Sequence, residues 1–136
     1  MYHLRNAVMA YALDERGFCC SARHVPTGHE WIEVPGAIWK LIYSVPGTER
    51  VESVIWQENQ QPVIHFSDSC LELLYDRLIG EDSRIIQASL RLELFLDSRG
   101  LRVTADLENR DSAVILQELQ VVPVSGARSL SGSPAE

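Results

Sequence analysis

The side chains best suited to chemistry cluster in "CCSARHVPTGHEW", residues 19 to 31: the vicinal thiols Cys19 and Cys20, the imidazoles His24 and His29, and Glu30. Thiolate and imidazole are ligands for zinc, and a thiol beside a base or cation is a nucleophile. The spacing weighs against a metal. Val25-Pro26-Thr27-Gly28 suits a turn, Pro26 fixing φ and Gly28 supplying the special backbone position. The flanking strands then place His24 opposite His29, Arg23 opposite Glu30, Ala22 opposite Trp31 and Cys20 opposite Glu33. Two facing imidazoles supply only two ligands. Cys20 shares their face but lies four residues along the strand, roughly 13 Å away, whereas zinc bonds are about 2.0–2.3 Å long. A third ligand has to arrive from His3 or His65 elsewhere in the fold. His24 and His29 are therefore weak metal candidates, and no cofactor is expected.

The thiols carry a similarly thin signal. Arg23 lies on the same strand face as Cys19, and Cys70 falls in the first turn of a predicted helix, where the helix dipole favours a thiolate. A buried, inert cysteine is the ordinary outcome at such places. The chain has no G-x-S-x-G elbow, Walker loop, G-x-G-x-x-G or H-E-x-x-H. No positive reason for an enzyme follows, and none is expected.

The elements that must position these residues are mostly strands. In "IQASLRLELFL", residues 86 to 96, apolar and mostly polar residues alternate as in a half-buried strand. After the "DSRG" turn the alternation resumes in "LRVTADL". Pairing Leu96 with Leu101 sets Leu94 against Val103, Leu92 against Ala105 and Leu90 against Leu107. It also sets Arg91 against Asp106, a favourable cross-strand charge pair. "SAVILQELQVVPV" reads as a further antiparallel strand, with helix over 113–119 as the competing reading. Earlier strand-like segments lie near residues 5–13, 18–24, 30–34, 37–45, 51–56 and 63–66, punctuated by Pro35-Gly36 and Pro46-Gly47. A four-residue connection between two of them places Trp39 against Trp56 and Leu41 against Val54.

One helix is predicted. "SDSCLELLYDRLIG" offers an S-x-x-E capping box at Ser69 and Glu72, and a stripe of Leu71, Leu74, Tyr75 and Leu78 at helical spacing. Gly80 suits its end. The predicted fold is α+β: a mainly antiparallel sheet of about seven to nine strands, in a sandwich or partly open barrel, with one amphipathic helix over about 68–79 packed on it. Residues 1–124 form the expected single globular domain, and "SGARSLSGSPAE", residues 125–136, an expected disordered tail.

Composition limits the partners. The 136 residues carry 12 basic and 19 acidic side chains, for a net charge of −7, with 46% apolar residues. That balance disfavours nucleic acid and anionic lipid and favours basic proteins. Three cysteines without regular spacing, and no export signal in "AVMAYAL", point to the cytoplasm. On the predicted helix, Glu72 and Asp76 lie beside one another, with Asp68, Glu81 and Asp82 at its ends. Like charges so placed oppose helix stability and suit a partner-binding surface.

The expected function is thus that of a small acidic cytoplasmic protein that binds a protein partner, a basic one suiting its charge, as an inhibitor or immunity protein, secretion chaperone or adaptor. It acts through the acidic helix face or through a sheet edge. The alternatives are a small-molecule-binding domain whose pocket is lined by Trp31, Trp39 and Trp56, and a Cys/His-dependent enzyme or metalloprotein.

Overall fold

The computed structural model describes residues 1–49, 51–67 and 69–124, and its architecture is almost wholly antiparallel strand. The first sheet joins β1 (Tyr2–Arg5), β2 (Met9–Leu13), β3 (Cys19–His24) and β4 (His29–Glu30) in chain order. Residues 5–13 therefore make two strands, not one. Asn6 breaks the segment, its Oδ1 accepting hydrogen bonds from the amides of Val8 and Met9 at 2.9 and 2.8 Å, the side-chain-to-backbone contact that makes asparagine a turn former.

Next come β5 (Trp39–Ser44), β6 (Ser53–Trp56), β7 (Val63–Ser67), β8 (Cys70–Tyr75), β9 (Leu78–Ile79), β10 (Ile85–Ile86), β11 (Ala88–Asp97), β12 (Gly100–Asn109) and β13 (Ile115–Val121). The orders are β13-β5-β6 in a second sheet and β12-β11-β8-β7 in a third, leucine-rich one, with β9 and β10 as a small pair. Residues 115–121 are thus the expected antiparallel strand, but beside β5 rather than the preceding β12. Two single-turn 3-10 segments, Gln57–Asn59 and Glu81–Ser83, are the only helical elements among the described residues.

The predicted helix over 68–79 is absent. Val63–Ser67 and Cys70–Tyr75 instead pair as the β7–β8 hairpin, with Ser69 at φ +66°. The apolar residues of "CLELLY" satisfy two periods. The helical stripe uses Leu71, Leu74 and Tyr75, whereas alternation uses Leu71, Leu73 and Tyr75. Pairing decides between them, because β8 has a ladder on both sides, to β7 and to β11. Leu71, Leu73 and Tyr75 are buried and Leu74 is turned to the other face. Long-range sheet formation overrides leucine's helix preference here.

The β11–β12 ladder has the expected register: Leu96 faces Leu101, Leu94 faces Val103, Leu92 faces Ala105, Leu90 faces Leu107 and Arg91 faces Asp106. Between β5 and β6 the register differs by one residue. Lys40 faces Trp56, Leu41 faces Ile55 and Ile42 faces Val54. The two tryptophans therefore lie on opposite faces. Trp39 is buried against Tyr75, ring centroids 5.0 Å apart, while Trp56 is exposed under the Lys40 ammonium. Burying Trp39 together with Leu41 and Tyr43 outweighs any gain from a cross-strand tryptophan pair.

All three sheets turn leucine, isoleucine and tyrosine side chains into one core that includes Leu4, Tyr11, Leu41, Ile55, Leu73 and Leu92. Each fully buried leucine contributes about 1.5–3 kcal/mol. The core also holds a buried amide. Gln57 Oε1 accepts from the backbone N–H groups of Ile38 (2.6 Å) and Trp39 (3.2 Å), and its Nε2 donates to Gly17 O (3.0 Å). Gly17 itself sits at φ +82°, and a Cβ there would meet Leu73 Cδ2 at 2.6 Å.

Candidate functional site

The acidic residues grouped by sequence are dispersed by the fold. Glu72 lies on the outer face of the third sheet. Asp76 is at the exposed bend after β8, and Glu81 and Asp82 belong to the 3-10 turn after β9. Asp68 lies outside the described residues. The helix that would have united them does not exist, so the acidic helix face is replaced by a different surface.

That surface follows from strand alternation. With Leu71, Leu73, Leu90, Leu92 and Leu94 turned inward, the residues between them must point outward. Reading across β7, β8, β11 and β12, one row is Val63, Leu74, Arg91 and Asp106, and the next is His65, Glu72, Glu93 and Thr104. Arg91 sits among three carboxylates, 2.6 Å from Glu72, 2.6 Å from Glu93 and 3.3 Å from Asp106. Its hydrogen bond to Glu72, ahead of the nearby charges of Glu72 and Glu93, raises its pKa further. Glu72 is therefore an ion-pair partner of Arg91. Asp106 and Glu108, on the outermost strand, carry the more exposed negative charge.

At one end of this face lies a groove of about 810 Å³. Its apolar lining comes from Val63, Leu74, Ile79 and Ile85, and its charged lining includes Arg77 and Asp106. Val63, Ile79 and Ile85 are exposed apolar side chains. No tryptophan lines it; Trp39 is buried in the core and Trp56 is exposed on the other face of its sheet.

The third sheet has two edges, β7, a five-residue strand paired with β8, and β12, a ten-residue strand that pairs with β11 alone among the described residues. The ladder continues one step past the strands, where the Arg110 amide donates to Gln87 O at 2.9 Å. Hydrogen-bonded and non-hydrogen-bonded pairs alternate along an antiparallel ladder, and this one has no bulge. The even-numbered residues of β12 thus face β11 with their backbone groups, while Leu101, Val103, Ala105 and Leu107 direct N–H and C=O away from the sheet. These four carry the strand's apolar side chains, and Leu107 remains 37% exposed. The edge has no proline, lysine or bulge, the usual devices that blunt such strands. Alternation in the sequence marks the strand; only its place in the folded sheet makes it an edge.

The histidine hairpin has its expected local register, with Arg23 opposite Glu30 and His24 opposite His29. Beyond that β4 ends. Trp31 keeps one backbone bond to Ala22, and Cys19 bridges to Gly36 instead of extending the ladder, so the expected Cys20–Glu33 pairing does not form. His24 Nδ1 lies 2.8 Å from Thr27 Oγ1, and the Trp31 ring is 6.2 and 6.0 Å from the two imidazoles, centroid to centroid. No group of three His, Cys, Asp or Glu able to hold a metal is found among the described residues.

Glu30 serves the backbone here. It accepts from the Ser21 hydroxyl and from the amides of Ala22 (2.9 Å) and Ile32 (3.1 Å). Burial raises its pKa, but these hydrogen bonds and the Arg23 charge outweigh it and hold the carboxyl below the ordinary range.

Two of the thiols sit where the thiolate is disfavoured. Burial, followed by the Asp14 charge, pushes Cys20 up to about 11. Burial and the carboxylates of Glu93 and Glu72 push Cys70 up as well. The helix dipole expected to favour a Cys70 thiolate is missing, and an acidic sheet face takes its place. Among the described residues no helix is long and apolar enough to cross a membrane. No protein-family model matches the chain, and no curated protein sequence matches it.

Proposed function

We propose that the protein is a protein-binding module of adaptor or inhibitor type, acting in the cytoplasm, which takes on an extended strand from its partner along the open edge of β12. The observation that carries this reading is the ten-residue length of β12 with its outward-directed backbone groups at Leu101, Val103, Ala105 and Leu107. Main-chain hydrogen bonds supply affinity in strand addition, and alternate side chains supply selectivity. An incoming strand lays apolar side chains beside Leu101, Val103, Ala105 and Leu107, and meets Asp106 and Glu108 on the outer face. A basic residue in the partner suits those carboxylates. The raised thiol pKa values support a binding role over Cys-based catalysis.

Hydrogen exchange with a synthetic peptide of alternating valine and lysine tests the reading. The expected result is slowed exchange at residues 101, 103, 105 and 107, weakened by salt, and smaller for a valine–glutamate peptide. Unchanged exchange at all four amides sinks it.

A second reading, a small-molecule site, is favoured by the groove beside Arg77. That guanidinium is exposed and has no ion-pair partner among the described residues. Amphipathic anions are the ligands it suits, and Arg77→Gln abolishing their binding is the test.

A further inference from the structure

We infer that the strand received by β12 is β12 of a second copy of this chain, joining two four-stranded sheets into one eight-stranded sheet across a two-fold axis. The inference rests on the edge-binding reading above and names its partner.

The argument is one of register. When two identical antiparallel strands pair about a two-fold axis perpendicular to the sheet, facing side chains lie on the same face. The self-facing residue is then the one on the axis. Placing Thr104 on the axis sets Arg102 of each copy against Asp106 of the other, Leu101 against Leu107, Val103 against Ala105, and Thr104 against Thr104. Every charged residue of the central stretch meets its opposite and every apolar residue meets an apolar one, which are the pairs that stabilise sheets. Arg102 is half-exposed beside Asp97 and Asp106 is 79% exposed beside Arg91, so both remain accessible. Moving the axis to Ala105 keeps one charge pair, Arg102 against Glu108, but sets Leu101 against Asn109 and leaves Asp106 against Thr104, a poorer match.

Hydrogen bonding agrees with the same register. Leu101, Val103, Ala105 and Leu107 are the residues whose N–H and C=O groups point outward, and in this pairing they face only one another. The two copies then exchange a full ladder. One strand pair buries less than the roughly 1,200 Å² at which stable interfaces begin, and each copy carries a charge of −7. Association is therefore weak, in the micromolar range, and strengthened by salt. The partner's Arg102 also arrives beside Asp106, on the wall of the groove described above.

Sedimentation equilibrium of the full chain, from micromolar to millimolar concentration, tests this. A monomer–dimer equilibrium is expected. Ala105→Pro removes an outward N–H at an edge position of the kind that tolerates proline, and should weaken it at least tenfold, with circular dichroism unchanged. Arg102→Asp and Asp106→Arg should each weaken it tenfold, and the double exchange should restore it to within about threefold. In a Cys20→Ser, Cys70→Ser background, Thr104→Cys should cross-link under mild oxidation and Ala105→Cys should not, because opposed Cα atoms about 4.5 Å apart suit a disulfide. A chain that is monomeric throughout overturns the inference, as does a dimer indifferent to Ala105→Pro and to the charge exchange. Cross-linking through Ala105→Cys alone overturns the register. Slow exchange at residues 101–107 in a monomer assigns the edge to the same chain and also overturns it. If the chain is monomeric yet the valine–lysine peptide still protects these amides, the edge-binding reading stands and only self-pairing fails.

Discussion

The side-chain amide of Gln57 donates to the hydroxyl of Tyr75 across 3.2 Å of buried core. The same amide group holds Gly17 O, and its carbonyl holds the amides that begin β5. One uncharged side chain thus ties the turn before β3, the start of β5 and the end of β8.

Replacing Gln57 with leucine keeps the volume but orphans two backbone donors and at least one acceptor. Each buried unsatisfied group costs about 1–3 kcal/mol, so Gln57→Leu should lower unfolding stability by at least about 3 kcal/mol. Urea denaturation measures it, and a loss within error would show that these groups find other partners.

Gly17→Ala attacks the same junction from the backbone side. The residue has φ +82°, and its new Cβ would press on Leu73. Strain and overpacking together should cost about 1–3 kcal/mol, read as a lowered denaturation midpoint.

Glu30 gives the fold an acid sensitivity. Its folded pKa is lowered, so its contribution is complete above the ordinary glutamate range and is lost as pH falls through the lowered value. Glu30→Ala removes the acceptor from the Ala22 and Ile32 amides and should destabilise by about 1–3 kcal/mol at neutral pH. The variant's stability curve should also be flatter below pH 4.5 than that of the parent. Parallel curves would assign the acid sensitivity to other carboxylates.

Cys70 should alkylate slowly at pH 8, because burial and the charges of Glu93 and Glu72 suppress its thiolate. Glu93→Gln removes one of those charges and should accelerate the reaction several-fold. Mass spectrometry of iodoacetamide-treated protein measures this, and an unchanged rate would remove Glu93 from the causes.

How far the sequence discloses this fold depends on whether pattern and pairing are local. The Leu90–Leu107 hairpin was legible: a short turn joins its strands, and a slip by one residue would set leucines against arginine and threonine, although the ladder runs further than the pattern marks, to Ala88 facing Asn109. "CLELLYDRL" was not, because leucine fits both periods and the decision rests with β11, over a dozen residues downstream. The tryptophan register failed for a related reason. Trp39 is claimed by Tyr75 from another sheet, and nothing within residues 37–56 records that contact. At the candidate site, the alternation of β12 was visible, but its status as an edge was not. Gln57 gave no signal, since a glutamine in a polar stretch reads as surface.

The two-residue link Ser98–Arg99 between β11 and β12 has a consequence for how this chain can vary over generations. Adding or deleting one residue there would rotate every later position of β12 to the opposite face, stranding leucines in water and sending Arg102 and Asp106 toward the interior. Length changes should therefore be tolerated in the longer connection 45–52 between β5 and β6, and excluded from the Ser98–Arg99 link.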